Sequence, residues 1–323
     1  MCRQIPLTLL CSFIATGLAW AEPIAIDPDL PHYHPVDSLS GTLRLIGSDT
    51  MNNIVHRWAD GFTKIYPNVD VQIRQKGAST AVGGLLSGGA DLGMSTQALR
   101  ESERFKLQAK LGGPPVEIAI GANMTAIFVH RDNPIACLNM KQVDAIFSST
   151  KKADQHDITT WSQLLPPTAP MANQPIRLYG RNSASQVYGQ LKTTALLGGD
   201  FKSTIIEMPG SQSLLQAIAG DANGCGYTGI GYQTPAVRAV PIQVGETTIP
   251  PTIENLDRYP LTQKLRLIYI VPSGEKLDPL LAEFIRFVYS QEGQSGLVRE
   301  GFAPLAESRA QSGRYSVCPR PQK

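Results

Sequence analysis

The sequence predicts a two-lobed α/β protein, and three observations support that prediction. Short apolar strands alternate with amphipathic helices along most of the chain. Several of these strands end in a turn rich in serine and threonine that opens the next helix. Two longer β-prone runs, 117–129 and 265–271, are long enough to leave one sheet and enter another. We therefore expect two parallel or mixed sheets with flanking helices, joined by two hinge strands. The C-terminus is expected to complete the first lobe.

The first strand, turn and helix occupy residues 42–66. Leu43 and Leu45 alternate with polar neighbours as in a half-buried strand, and apolar residues then recur at helical spacing from Met51 to Ile65. The turn between them reads GSDT. Because the free N–H groups and the dipole of a helix N-terminus attract negative charge, this turn is a candidate anion site. An ordinary capped helix would give the same pattern.

The alternation continues along the chain. A second strand is expected over 69–73, and the KGAST loop at 76–80 leads into a short helix over 81–86. The next apolar run ends in Ser95-Thr96. Parallel strands place their carboxyl ends at one edge of a sheet, so we expect a ligand crevice there. The later expected elements are helices over 140–147, 183–197 and 211–219, a strand over 176–179 and a tight, glycine-rich path over 224–232.

The N-terminus has the pattern of a secretory signal over residues 1–21. Arg3 precedes an apolar run that ends in the cleavage motif Ala19-Trp20-Ala21, so cleavage is expected near Ala21 and the product in the periplasm or outside the cell. Residues 22–40 are rich in proline and predict an extended leader. His32 and His34 could share a metal there, but a solvated linker is the preferred interpretation.

Composition narrows the function. The chain has 323 residues, 42% hydrophobic and 17% charged, which is enough for about two domains. Its formal charge of +2 gives no indication of nucleic acid as a partner, so an anion site must be built from local groups. No H-E-x-x-H pair, P-loop or G-x-S-x-G elbow occurs. We therefore expect no metal or cofactor and disfavour a secreted serine hydrolase.

Three cysteines follow the predicted signal: Cys137, Cys225 and Cys318. In an oxidising compartment two of them can pair, although sequence alone does not fix the connectivity. We favour a disulfide between Cys137 and Cys225.

Arg181 stands in the turn YGRNSAS at 179–185. Its planar guanidinium can hold two oxygens of a tetrahedral anion. Ser183 and Ser185 can cap the following helix and donate to the same anion. A surface arginine in a salt bridge is the alternative interpretation.

From about Gly41 to Leu305 the chain resembles the periplasmic phosphate-binding proteins that feed ABC importers, which have the type II periplasmic binding fold. The order and spacing of many short motifs support this resemblance. They are GSDTM at 47–51, KGAST at 76–80, GGADLGMST at 88–96, DNPI at 132–135, QVDAIFS at 142–148, GRNSAS at 180–185, GIGY at 229–232, YPL at 259–261 and EFIRFVYSQEGQ at 283–294.

The resemblance implies a first lobe of 41–122 plus 272–323 and a second lobe of 123–271. Between them backbone N–H groups, hydroxyls and one arginine would hold inorganic phosphate for delivery to an ABC permease in the inner membrane. The protein would be a monomer and not an enzyme. The implied ligand residues are Ser48, Thr50, the Met51 backbone, Ser79, Thr80, Thr96, Arg181, Ser183 and Ser185.

The chain departs from the family pattern at three turns. Ala78 stands where many relatives have serine, Thr96-Gln97 where they have an aspartate or a Ser-Arg pair, and Gln186-Val187 where Gly-Thr is usual. An aspartate in the third turn could accept a proton from phosphate and repel sulfate. Its absence leaves open a secreted relative that binds another oxyanion or acts as an interaction or adhesion protein.

Overall fold

The computed structural model describes residues 25–75, 77, 80–153 and 156–305. The predicted signal sequence, Ser79 and Cys318 lie outside these residues. Within them, no helix combines the length and the apolar character that crossing a bilayer requires.

The described residues form strands and α-helices in alternation. The strands are β1 (Gly41–Gly47), β2 (Val69–Gln75), β3 (Leu92–Ser95), β4 (Pro115–His130), β5 (Leu138–Asn139), β6 (Arg177–Gly180), β7 (Ile206–Glu207), β8 (Gly224–Gly229), β9 (Val237–Val240), β10 (Ile242–Val244), β11 (Thr247–Ile249) and β12 (Thr262–Ile270). The helices are α1 (Asn52–Ile65), α2 (Thr80–Leu86), α3 (Glu101–Leu111), α4 (Met140–Phe147), α5 (Gln186–Thr194), α6 (Ser211–Ala219), α7 (Pro279–Val288) and α8 (Gln291–Arg299).

The strands form one large mixed sheet with the order β2-β1-β3-β12-β4-β8-β6-β7, and β9 also pairs with β4. β1 is parallel to β2 and β3, whereas β12 runs antiparallel to β3 and β4. On the other side β6 is parallel to β7 and β8. A second, small sheet has the order β11-β10-β5. The predicted α/β class with mixed pairing and flanking helices is confirmed.

β4 links the two halves of the large sheet. Its residues 115–124 pair with β12, and residues 125–130 pair with β8 and β9. The predicted run over 117–129 is therefore one strand whose partners change along its length. β12 pairs with β3 and β4, in the first half, although the predicted second lobe, 123–271, included it. The division into two lobes stays a prediction.

Each half of the sheet has its own buried core. In the first, the apolar face of α1 buries Trp58 and Phe62, and the Phe62 ring lies 5.3 Å from the Phe284 ring at 86°. In the second, Phe147 and Tyr227 pack edge to face at 5.5 Å. Because each half buries its own aromatic side chains, each can hold its wall of an intervening cleft in place.

A few side chains anchor the leader segment to the rest of the protein. The Leu30 side chain is 2% exposed, and Gln291 Nε2 donates to the Leu30 carbonyl at 2.8 Å. The hydroxyls of Tyr33 and Tyr66 are 2.9 Å apart, and His32 Nδ1 lies 3.0 Å from a carboxylate oxygen of Glu292. The segment forms no helix or strand and most of its residues, His32 and His34 included, are exposed, as expected of an extended leader, but Leu30 is buried and anchors it to the fold. Its apolar side chains find a surface between α1, α7 and α8 that sequence periodicity does not reveal.

The predicted disulfide between Cys137 and Cys225 is not formed, and both are free thiols in the described part of the chain. Cys225 is fully buried in β8, where it pairs with Val129 of β4. Cys137 is half-buried beside the small sheet, with its Sγ 3.7 Å from Gln243 Oε1. The two thiols thus occupy separate environments. Burial raises the pKa of the Cys225 thiol to about 12.

The glycine-rich stretch follows the expected tight backbone path. A Cβ atom on Gly229 would lie 2.5 Å from the carbonyl oxygen of Gly301, and the N–H of Gly231 donates to the same oxygen at 3.2 Å. Gly301 itself has φ +82°, which favours glycine. The C-terminal segment then pairs with β4 through Ala303 and Ala122. It therefore returns to the region where β4 changes partners.

Candidate anion-binding cleft

A cleft of about 680 Å³ lies where the N-terminal ends of α1, α5 and α6 converge. The lining includes Thr50 near the start of α1, Ser185 at the start of α5 and Ser211 at the start of α6. Asn123 of β4 also lines the cleft. Because the N-terminal end of a helix carries partial positive charge, this convergence favours an anion.

The first wall is the turn between β1 and α1. The N–H of Ser48 donates to the Met94 carbonyl at 2.9 Å, which ties the turn to β3. Asp49–Met51 forms a single 3₁₀ turn before the helix, and Thr50 lines the cleft. The Ser48 side chain is 1% exposed, and its hydroxyl has no partner among the described residues. The turn is thus tied to β3 through its backbone, and the Ser48 side chain makes no capping hydrogen bond.

Arg181 follows directly after β6 and points into the cleft. Its Nη1 donates to the Ser211 hydroxyl at 2.8 Å, and its backbone N–H lies 3.4 Å from the Tyr227 hydroxyl. Its Nε is buried without a hydrogen-bond partner among the described residues. No described acidic side chain forms an ion pair with it. A guanidinium held in this way keeps donors and charge for a ligand.

The start of α5 supplies two hydroxyls. Ser183 and Ser185 both line the cleft, and Ser185 occupies the N-cap position of the helix. Its side chain makes no capping hydrogen bond, so the predicted capping role is not seen at Ser185. A hydroxyl that does not cap can donate to a ligand instead.

Gln186 crosses the cleft. Its Nε2 donates to the backbone carbonyl of Thr50 and, at 3.3 Å, to that of Asp49. These hydrogen bonds join the start of α5 directly to the turn before α1. The glutamine that departs from the family pattern therefore holds the two walls together.

The charge balance of the cleft favours an anion near Arg181. Asp49 is exposed, and its Oδ1 accepts from the Thr50 N–H at 3.1 Å. Glu300 forms an ion pair with Arg57 at 2.6 Å. Burial raises the pKa of Tyr232, which also lines the cleft, so that hydroxyl stays neutral. No group of three or more His, Cys, Asp or Glu among the described residues could hold a metal.

Four of the described residues that the resemblance implies as ligands do not line this cleft: Ser48, Met51, Thr80 and Thr96. Met51 is fully buried, and its N–H donates to the Ser48 carbonyl at 3.3 Å. The Thr80 hydroxyl donates to the Gly77 carbonyl at 2.8 Å. Thr96 is buried at the end of β3. For these residues a ligand role stays a prediction.

The structure brings together Thr50, Arg181, Ser183 and Ser185. It adds Ser211 and Asn123, which sequence reasoning missed. Ser211 directly follows Gly210 and opens a predicted helix, and Asn123 is a polar residue inside an apolar run, so both carried a signal. Neither signal says where the side chain points. For Asn123 in a strand, the register decides which face of the sheet the side chain occupies.

Comparison with known proteins places the chain among binding proteins. The family model described as PBP superfamily domain matches residues 34–292. The "Phosphate-binding protein PstS" of Pseudomonas aeruginosa is 39% identical over 300 residues, which cover 91% of this chain and 93% of that protein.

Solved structures agree on the fold. A possible phosphate binding protein from Planctomyces limnophilus superposes with a TM-score of 0.69 at 19% identity, covering 87% of this chain and 98% of that one. PstS from Borrelia burgdorferi gives 0.60 at 18% identity, covering 82% and 99%. The match over most of the chain and the cleft between helix N-termini lead to one conclusion: the chain belongs to the PBP superfamily and, within it, to the family of the phosphate-binding protein PstS.

Proposed function

We propose that this chain binds inorganic phosphate in the cleft between the starts of α1 and α5. The observation that carries the proposal is Arg181, which is directed by Ser211, keeps a buried Nε without a partner and has no described acidic neighbour in an ion pair. A tetrahedral oxyanion fits this set of donors, because it accepts from a guanidinium, hydroxyls and helix N–H groups at once.

The proposed role is capture and delivery. The chain would be exported, with its signal removed near Ala21, and would pass phosphate as a monomer to an ABC permease in the inner membrane. Support comes from the predicted signal at 1–21 and from the relative named "Phosphate-binding protein PstS". Contacts from both walls to one anion would favour a closed cleft over an open one.

We propose binding without turnover. Among the described residues that line the cleft there is no histidine. Of its two carboxylates, Glu300 is paired with Arg57 and Asp49 is exposed. A hydrolase needs a titratable base within hydrogen-bond reach of its nucleophile.

Thermal unfolding in phosphate and in chloride tests the proposal. A ligand at 100 times its dissociation constant stabilises the folded state by about 2.7 kcal/mol, so phosphate should raise the melting temperature by several degrees. Chloride at equal ionic strength should not. A melting temperature that does not respond to phosphate at millimolar concentration would sink the proposal.

Replacing Arg181 locates the site. Arg181→Ala should abolish the phosphate-dependent shift, because the cleft then loses its positive side chain. Arg177→Ala is the matched control, since Arg177 begins β6, the strand that Arg181 follows, and pairs with Asp221 at 2.9 Å. The control should keep the shift. If both variants keep it, phosphate binds elsewhere.

A further inference from the structure

The floor of the cleft contains a buried amide that makes no hydrogen bond. Asn123 lies in β4 just before the strand changes partners, and it lines the cleft. The residue is 2% exposed, and its Nδ2 has no hydrogen-bond partner among the described residues. Buried polar groups in folded proteins are almost always hydrogen-bonded, so this one requires an explanation.

The surroundings hold the Asn123 backbone but leave its side chain available. Gln190 Nε2 donates to the Asn123 carbonyl at 3.2 Å. On the neighbouring strand, Gln263 is its register partner and also lines the cleft. The side-chain amide can therefore turn its NH₂ group towards a ligand without any change in the backbone.

We propose that Asn123 is a specificity-determining residue that donates an N–H to the bound oxyanion, so that the cleft accepts fully ionised sulfate as well as phosphate. This inference rests on the proposed function, because it concerns the same cleft. It defines the ligand class as tetrahedral oxyanions whether or not they carry a proton.

The chemistry of the amide supports this. Near neutral pH phosphate still carries a proton, which a carboxylate can accept, whereas sulfate carries none. A carboxylate only accepts hydrogen bonds, so it would repel sulfate, but an amide can donate to either anion. Of the carboxylates that line the described cleft, Asp49 is exposed and Glu300 is paired with Arg57. The buried floor thus offers a neutral donor.

Titration calorimetry of the wild-type protein with phosphate and with sulfate, at about pH 8 and constant ionic strength, is the first test. We expect the two dissociation constants to agree within about tenfold, a free-energy difference of about 1.4 kcal/mol. Binding of phosphate with rejection of sulfate by more than about a hundredfold would overturn the inference while leaving the proposed function intact. Absence of phosphate binding would instead contradict the proposed function.

Asn123→Asp converts the donor into an acceptor without a large change in size. Its affinity for sulfate should fall at least about a hundredfold more than its affinity for phosphate, because only phosphate has a proton to donate. Gln263→Glu is the matched control, since it adds the same charge to the same cleft on the neighbouring strand. The control should weaken both anions by a similar factor.

Asn123→Ala completes the series. It should weaken both anions by about tenfold, the usual effect of losing one hydrogen bond to a charged group. Circular dichroism verifies the fold of each variant. If Asn123→Asp leaves the ratio of phosphate to sulfate affinity unchanged, Asn123 does not contact the anion. If that variant does not fold, the wild-type ratio and Asn123→Ala decide.

Discussion

At the scale of single residues, Arg181 is fixed before any ligand arrives. Its Nη1 donates to Ser211, and its backbone lies against the Tyr227 hydroxyl. Gly180 allows this tight arrangement, since a Cβ there would approach Ile205 Cγ2 to 2.6 Å. A side chain that is already oriented loses little conformational freedom on binding. Binding of an anion should therefore require little further ordering of the Arg181 side chain.

We expect the two described cysteines to differ in reactivity. Because burial raises the pKa of the Cys225 thiol to about 12, it stays protonated and enclosed, whereas Cys137 is half-buried. Iodoacetamide should label Cys137 in the native protein and Cys225 only in denaturant, as read by peptide mass spectrometry. Equal native labelling, or a Cys137–Cys225 crosslink in the non-reduced digest, would contradict the structure.

Cys225 also predicts a pH dependence of stability. Its folded pKa is raised, so its contribution to stability is complete below pH 9 and is lost as pH rises towards about 12. The free energy of unfolding of the wild type should fall across this range, and Cys225→Ala should fall less. Urea titrations at several pH values measure both. Parallel pH profiles would mean that the thiol is not buried as described.

At the scale of elements, α5 connects the ligand turn to the crossing strands. Its Gln190 is 7% exposed, and Oε1 of that side chain accepts from the Thr125 hydroxyl at 2.8 Å. Its Nε2 donates to the Leu261 carbonyl at 2.7 Å and to the Asn123 carbonyl at 3.2 Å. One buried amide thus joins the anion-facing helix to β4 and to the residue before β12.

Replacing Gln190 tests this junction. Gln190→Ala should lower the free energy of unfolding by about 1–3 kcal/mol, because it leaves the buried Thr125 hydroxyl without its acceptor and removes one hydrogen bond each from the Asn123 and Leu261 carbonyls. Gln216→Ala on the exposed side of α6 is the control and should stay within about 0.5 kcal/mol of the wild type. Chemical denaturation measures both. If Gln190→Ala lowers the free energy of unfolding no more than Gln216→Ala does, the hydrogen bonds of Gln190 do not stabilise the protein.

The elements that sequence predicts well are those with a strong period. The apolar spacing in α1 and the β-prone run of β4 gave both elements, and only their ends differ by a few residues. α3 was missed because its sequence, ESERFKLQAKL, buries only Leu107 and leaves Phe105 75% exposed. β9, β10 and β11 are three or four residues long, which is too short for a clear alternation.

Only part of the site can be predicted from the sequence. Arg181 directly follows the end of β6 and Ser185 lies in the same turn, so topology alone brings both to the carboxyl edge of the sheet. Thr80 and Thr96 also follow strand ends, yet neither lines the cleft, because the hydroxyl of Thr80 turns back to Gly77 and Thr96 is buried. The direction in which a turn folds depends on contacts between distant parts of the chain. Local sequence does not contain that information.

At the scale of the whole molecule, the N-terminal segment 25–40 contacts the two last helices, α7 and α8. Tyr33 packs edge to face on Phe287 at 5.3 Å, and its N–H donates to Glu292 at 2.8 Å. Leu30 belongs to the same buried core as Trp58 of α1. The segment therefore contributes to the first half of the fold.

Truncating Leu30 measures that contribution. Leu30→Ala should destabilise the protein by about 2–3 kcal/mol, because it leaves a cavity in a packed core. Val36→Ala in the same segment should cost far less, since Val36 is 42% exposed. Thermal or urea unfolding compares the two. If both substitutions destabilise the protein equally little, residues 25–40 contribute little to the stability of the fold.

Across the molecule, the starts of α1 and α5 face each other and Gln186 already bridges them. Phosphate would occupy the space beside that bridge, with Thr50 on one side and Arg181 on the other. We expect a hinge motion at the point where β4 changes partners to widen or close this space. The position of the bound anion therefore decides whether these two walls form the binding site.

The most direct measurement is a crystal structure grown with arsenate, a tetrahedral analogue of phosphate whose arsenic atom gives an anomalous signal. We predict one strong anomalous peak in the cleft, with arsenate oxygens within hydrogen-bond distance of the Arg181 guanidinium and of donors at the starts of α1 and α5. A cleft without a peak, or a peak away from Arg181, would contradict the proposal that this cleft binds phosphate.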